Sequence, residues 1–207
     1  MCDLMVEWNR VVDDGRIEKA ASALRERGID VVIVQNKEEA KRKVLELIPK
    51  KAEVLHVASV TLEEIGVSKH IDESGEFESL SVRIRGIDDA AERERLRKLT
   101  LSPDYAVGSV HAVTEDGQIV DVSASGSQVP VYAYGAAHLI LVVGAQKIVR
   151  NLDEALKRVY EYVLPLESER VRKAYNMPGS SINKILIIEK EKLGRTTLIF
   201  VKEKLGF

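Results

Sequence analysis

The stretch DVVIVQNKEEAKRKVLELIPKKAEVLHVASVTLEEIG, residues 30–66, decides the fold. Val31–Val34 is a short β-branched run suited to a buried strand. Asn36 with Glu39 resembles a capping box, and Ala40, Val44 and Leu47 follow at helical spacing until Pro49 stops the pattern. Glu53–Ala58 is the next strand, and Thr61 with Glu64 repeats the capping-box pattern before another helix. This βαβα order implies parallel strands with helices on both faces.

The pattern extends in both directions. Upstream, Ile17, Ala20, Ala21 and Leu24 share one helical face, and Gly28 can supply the left-handed residue that ends the helix. Downstream, Ser81–Ile84 reads as a third strand before a charged helix near Asp88–Leu99, whose Arg/Glu runs fit a solvated face. After Pro103 the character changes. Tyr105–Thr114 and Ile119–Val122 flank an Asp116-Gly117 turn, which predicts a β-hairpin over Tyr105–Val122. His138–Val143 is a buried strand. Asn151 with Glu154 opens a helix that carries Leu152, Leu156, Val159 and Val163 on one face and ends before Pro165. Lys184–Ile188 and Thr197–Lys202 are the last strands. The reading is an α/β fold with a mainly parallel, mixed sheet and a β-hairpin insertion.

Composition narrows the function. At 207 residues the chain reads as a single domain, 1–207, able to bury a core without metal or disulfide. Lys+Arg total 31 against Asp+Glu 33, so a nucleic-acid partner has no electrostatic support. One cysteine, Cys2, excludes an internal disulfide and any four-thiolate zinc or iron–sulfur site built by this chain alone. Acids and Trp8 interrupt the N-terminal stretch where a signal peptide needs apolar residues, and no apolar run approaches the roughly 20 residues of a membrane span. The expectation is a soluble, cytoplasmic protein with no membrane partner.

Catalytic motifs are mostly missing. There is no Gly-x-Gly-x-x-Gly, Walker loop, His-Glu-x-x-His or Cys-x-x-Cys, and His56, His70, His111 and His138 are scattered singly. No nucleophile or general base is assigned, and no metal site. Three junctions stand out. Ser59 and Thr61 lie where a buried strand feeds a helix, whose N-terminal N–H groups suit an anion. Ser125, Gly126, Ser127 and Gln128 form a loop of small hydrogen-bonding residues. Lys147 follows the most apolar strand, and Asn151 opens the next helix. A plain helix cap, a surface turn and a solvent-facing lysine are the alternative readings. If the strands are parallel, these junctions converge beyond their carboxyl ends on one cleft for a small anion.

Several of these segments resemble one family. Gly108-Ser-Val-His-Ala-Val-Thr114, Gly126-Ser-Gln128 with Tyr132-Ala-Tyr-Gly-Ala136, and Val143-Gly-Ala-Gln-Lys-Ile-Val149 with Asn151-Leu-Asp153 are similar to the LUD domain, named for lactate utilisation. Ser59-Val-Thr-Leu-Glu-Glu-Ile-Gly66, Lys184-Ile-Leu-Ile-Ile188 and Lys202-Glu-Lys-Leu-Gly-Phe207 fit as well, so the resemblance spans roughly residues 10–207. It implies a three-layer α/β sandwich like that of ribose-5-phosphate isomerases and CoA-transferases. It also implies a role in oxidising L-lactate to pyruvate beside iron–sulfur proteins, with the clusters carried only by those partner subunits. Self-association into a homo-oligomer is a further partner expectation. The alternative is a stand-alone enzyme on a phosphosugar or CoA ester. The glutamate nucleophile of the CoA-transferases is not carried over, because Glu115 reads as an exposed turn residue.

Gln (4) and Asn (5) are scarce beside 31% charged residues, a composition that leans towards a thermophile. Calorimetry should find cooperative unfolding above about 80 °C, against roughly 45–65 °C for mesophile domains; a midpoint near 55 °C contradicts this.

Overall fold

The computed structural model describes residues 8–207; Cys2 and the first residues of the N-terminal stretch lie outside the described residues. In chain order the elements are α1 (Asp14–Glu26), β1 (Asp30–Val34), α2 (Lys37–Leu47), β2 (Glu53–His56), α3 (Val60–Glu64), α4 (Val67–Glu73), β3 (Glu78–Ser79), α5 (Leu80–Arg85), α6 (Ala90–Leu99), β4 (Tyr105–Gly108), β5 (Ala112–Thr114) and β6 (Ile119–Ser123). A π-helical turn (Val131–Gly135) leads to β7 (His138–Gly144), a 3-10 turn (Ala145–Lys147) and β8 (Ile148–Val149). Then come α7 (Leu152–Arg158), a second π-helical turn (Val159–Val163), α8 (Leu164–Tyr175), β9 (Lys184–Ile188) and β10 (Thr196–Val201).

Local chemistry sets the ends of these elements. The Asp13 carboxylate accepts from Arg16 N at 3.1 Å to open α1, and Gly28 (φ +83°) closes it in the left-handed region. Asn36 accepts from Glu39 N at 2.9 Å, while Glu39 reaches back to Gln35 N. Asn151 caps α7 in the same way, accepting from Glu154 N at 3.0 Å.

Six strands form one sheet in the order β1-β10-β7-β4-β2-β3, and every pairing in it is parallel. Its central strands are apolar on both faces, as a doubly covered parallel sheet requires. Leu139, Leu141 and Val143 of β7 and Leu198 and Phe200 of β10 face α1 and the second sheet; Ile140, Val142, Ile199 and Val201 face α2, α3 and α4. The second sheet, β8-β5-β6-β9, is mixed: β5 pairs with β6, and β6 with β9, antiparallel, and β5 pairs with β8 parallel. Ala112, Val120 and Val149 on its outer face pack with Ala155, Tyr162 and Val163. The layers are therefore helices, the parallel sheet, and a composite third layer of α1 and the second sheet, with α7 outside it.

Four local expectations are corrected. Ser81–Ile84 is not a strand: Ser79 Oγ accepts from Val82 N at 3.3 Å, which winds the segment into α5 and leaves only Glu78–Ser79 to pair. The hairpin does not begin at Tyr105, since β4 belongs to the parallel sheet and only β5 and β6 form the antiparallel pair. The helix after Asn151 does not end before Pro165: helical backbone continues through the π-helical turn into α8, with Pro165 as the second residue of α8. Thr61 and Glu64 do not form a capping box: the cap position is Ser59, without a side-chain bond, and Thr61 lies inside α3.

Among the described residues no helix is long and apolar enough to cross a membrane. Leu141, wholly buried at the centre of β7, should be the most expensive kind of truncation. Leu141→Ala is expected to lower stability by about 2–5 kcal/mol in denaturant unfolding, through lost burial and an uncollapsed cavity.

Candidate functional site

Strands β10, β7, β4 and β2 stand side by side and run parallel, so the segments leaving their carboxyl ends meet at one end of the sheet. Ligand sites in open parallel sheets form at this end. From β2 comes Thr61, from β4 Ser109, from β7 Lys147, and from β10 the segment through Leu205 and Gly206.

These side chains close on one another. Lys147 Nζ donates to Thr61 Oγ1 at 3.0 Å and to Ser109 Oγ at 3.1 Å. Ser109 Oγ donates to Thr61 Oγ1, which donates onward to the Leu205 carbonyl, each at 3.3 Å. Gln146 Nε2 holds the same carbonyl at 2.7 Å, and Glu64 accepts from Gly206 N at 2.8 Å. Gly206 has φ +61°, and a Cβ there would stand 2.5 Å from Thr61 Oγ1. A left-handed glycine is required to lay backbone so close to the threonine.

Lys147 is only 3% exposed and is bonded to hydroxyls, not to a carboxylate. Burial lowers its pKa from 10.5 to about 7; the Arg158 charge pushes the same way, while Glu64 and Asp121 oppose. Near neutral pH it is therefore divided between ammonium and free amine. Such a group can hold an anion, accept a proton or attack a carbonyl.

A second polar chain borders the first. His111 Nδ1 lies 2.8 Å from Asp121 Oδ1, and Gln128 Nε2 donates to Asp121 Oδ2 at 3.1 Å. Arg158 Nη1 donates to the His111 carbonyl at 2.6 Å. Tyr132 OH donates to the Ser109 carbonyl at 3.0 Å, and burial pushes its phenol well above the usual range.

Of the residues singled out in the sequence, Thr61 and Lys147 are in direct contact, and Gln128 joins through Asp121. Ser125 and Ser127 are exposed and bond to each other at 3.1 Å, while Gly126 N donates to Ser123 Oγ. Asn151 is exposed and engaged in capping α7. Ser59 is half-buried and makes no cap bond. The sequence reading omitted Ser109, Gly206, Glu64, Tyr132 and Arg158; a Gly-Ser pair directly after a buried strand is the one signal that could have pointed to Ser109.

Other polar groups find structural partners. His56 Nε2 lies 2.9 Å from Asp72 Oδ1, to which Ser79 Oγ also donates at 2.6 Å. Burial works against the charge of Asp72, yet the bonds from Ser79, Arg85 and His56 hold it below the ordinary range. His138 stacks on Tyr105 at 4.7 Å. Glu115 is not exposed as its turn suggested: it is 8% exposed and paired with Arg16 at 2.5 Å and Lys19 at 2.8 Å, which fastens the hairpin to α1. Those contacts outweigh its burial and keep its carboxyl below the usual range.

Residues 17–201 match the family described as the LUD domain. No curated protein sequence matches the chain. A DUF162 family protein from Deinococcus radiodurans, at 10% identity, shares the fold over 93% of this chain and 99% of its own, with a TM-score of 0.57. A D-ribose-5-phosphate isomerase solved with phospho-erythronic acid aligns at 11% identity over 82% of this chain and 95% of its own, with a TM-score of 0.40.

The lowered lysine pKa has a direction in stability. Unfolded, Lys147 holds its proton up to about pH 10.5; folded, it releases it near 7, so stability rises with pH between those values. The ceiling is about 5 kcal/mol at roughly 1.4 kcal/mol per pH unit. Lys147→Met should therefore show its greatest advantage over the parent at pH 6 and lose a few kcal/mol of it by pH 9, measured by urea unfolding.

Proposed function

This chain belongs to the LUD domain family, and on that footing we propose that it serves lactate utilisation by binding a small organic acid at the Thr61–Ser109–Lys147 cluster. The observation that carries the reading is Lys147: a buried amine, held by two hydroxyls and poised near neutrality, at the carboxyl end of a parallel sheet. Its ammonium form attracts the acid's negative charge. Its free-amine form can accept the 2-hydroxyl proton that lactate loses in becoming pyruvate, while the C2 hydrogen leaves with its electron pair to the redox partner. Ser109 and Thr61 offer oxygens that orient the amine, and both can re-aim their hydroxyls towards a ligand.

The donor set does not fit an iron–sulfur cluster. One cysteine cannot furnish the thiolates, and the described residues contain no group of three or more His, Cys, Asp or Glu able to hold a metal. The redox half of the reaction is assigned in this reading to iron–sulfur partner proteins, and this chain's share is to hold the acid and handle its proton.

Titration calorimetry on the full chain is the test. L-lactate or pyruvate should bind, and Lys147→Ala should weaken that binding about tenfold or more, equivalent to at least roughly 1.4 kcal/mol. Retrieval of an iron–sulfur protein with the chain would support the partner assignment. Turnover of a ribose phosphate or an acyl-CoA by the isolated chain, with no affinity for lactate or pyruvate, would replace this reading by the enzyme alternative.

A further inference from the structure

Arg158 is among the largest fully buried side chains of the described residues, and it has no carboxylate partner among them. Nη1 donates to the His111 carbonyl, and the Tyr162 ring lies 5.2 Å from Cζ. Nε and Nη2, both buried, have no hydrogen-bond partner among the described residues. A guanidinium donates in a planar fork, and Nε with Nη2 forms the side-on edge that receives both oxygens of one carboxylate.

The same chain shows what that edge does. Arg95 holds Glu92 with Nε and Nη2 at 2.8 and 2.9 Å, and Arg97 holds Glu94 at 2.8 Å through each. Arg170 holds Glu167 likewise at 2.7 and 2.8 Å. Those three pairs are at the surface or half-buried. Arg158 presents the identical edge in the interior, where an unmatched donor pair is most unfavourable. Trp8 Nε1, in the apolar cluster that contains Tyr162, is a further buried donor without a partner among the described residues.

Arg158 borders the lysine site: Nη1 is bonded to the carbonyl of His111, two residues beyond Ser109, whose hydroxyl accepts from Lys147. The π-helical turn Val159–Val163 begins directly after Arg158, a local departure from the α-helical ladder that often accompanies functional positions.

We propose that the Nε–Nη2 edge of Arg158 docks the carboxylate of a small organic acid, leaving the acid's 2-oxygen to Lys147 and its hydroxyls. This rests on the organic-acid reading given above and assigns the acid's orientation within that site. A planar two-oxygen anion matches the edge; a neutral amide of the same shape does not.

The experiment is an NMR titration of the full chain labelled with nitrogen-15 arginine, following the Arg158 Nε–H signal, with calorimetry in parallel. The probes are pyruvate, L-lactate, succinate, lactamide and inorganic phosphate. Pyruvate and L-lactate should move the signal and lactamide should not, and Arg158→Lys, which keeps the charge but loses the edge, should weaken pyruvate about tenfold or more. The titration of the unaltered chain stands even if the variant fails to fold. Calorimetric binding of pyruvate with no response at Nε–H overturns the docking role and leaves the organic-acid site intact. A response to succinate but not to lactate or pyruvate supports the docking edge and overturns the lactate reading. A response confined to phosphate overturns the carboxylate assignment, and no response to any probe overturns both.

Discussion

Lys147 Nζ lies against Thr61 Oγ1 and Ser109 Oγ, beneath the Leu205–Gly206 backbone and away from water. Placing an amine there is unfavourable unless each of its bonds is supplied by something that cannot drift away. The fold supplies them from adjacent strand ends, and a hydroxyl contributed from β2 or β4 is as fixed as the sheet itself. Gln146 and Glu64 extend the arrangement by holding the Leu205–Gly206 backbone in place, so four separate stretches of chain depend on one nitrogen's surroundings. Rigid sheet ends carry the geometry, while the chemistry sits on the short segments that leave them.

The two π-helical turns act on the same place from opposite sides of the sequence. The first carries Tyr132, whose hydroxyl holds the Ser109 carbonyl; the second follows Arg158, whose Nη1 holds the His111 carbonyl. The Ser109 and His111 carbonyls are therefore pinned by buried side chains, and the Ser109 hydroxyl accepts from the lysine and donates to Thr61. Gly108 is part of this device. A side chain there would collide with the Tyr132 hydroxyl, so the strand must end in glycine for the tyrosine to reach over it.

Most of the architecture was legible in the sequence because it rests on local signals. Asn36 and Asn151 cap the helices that their spacing predicts, and the alternation of β7 and β10 follows from apolar runs. The site was less legible, for a physical reason. Thr61 and Glu64 carry the spacing of a capping box, yet Ser59 takes the cap position and tertiary partners claim both side chains: Lys147 for one and Gly206 for the other. Asn151 shows the reverse, a candidate ligand residue whose side chain is taken by its own helix. Arg158 is disguised more completely, since an arginine at a helix end beside Lys157 reads as solvated charge. Only burial reveals that it faces inward.

The second sheet explains why these groups can meet. Strand β4 pairs in parallel with β7 in the main sheet, and β5 pairs in parallel with β8 in the second. The links are Ser109–His111 from β4 to β5 and Ala145–Lys147 from β7 to β8, so two neighbouring strands leave one sheet side by side and re-pair in the other. Ser109 and Lys147 lie in the two links, at the step between sheets, where backbone need not satisfy a ladder and side chains turn inward. Because α7 packs on the outer face of the second sheet, the same step brings the last residue of that helix, Arg158, to the His111 carbonyl. The hairpin, its sheet and α7 thus do more than cover one face of the parallel sheet. They cover the strand ends, so that Lys147 and Arg158 are both buried rather than exposed to water. The Arg158 charge works against the ammonium form of Lys147, and the carboxylates of Glu64 on α3 and Asp121 on β6 work for it.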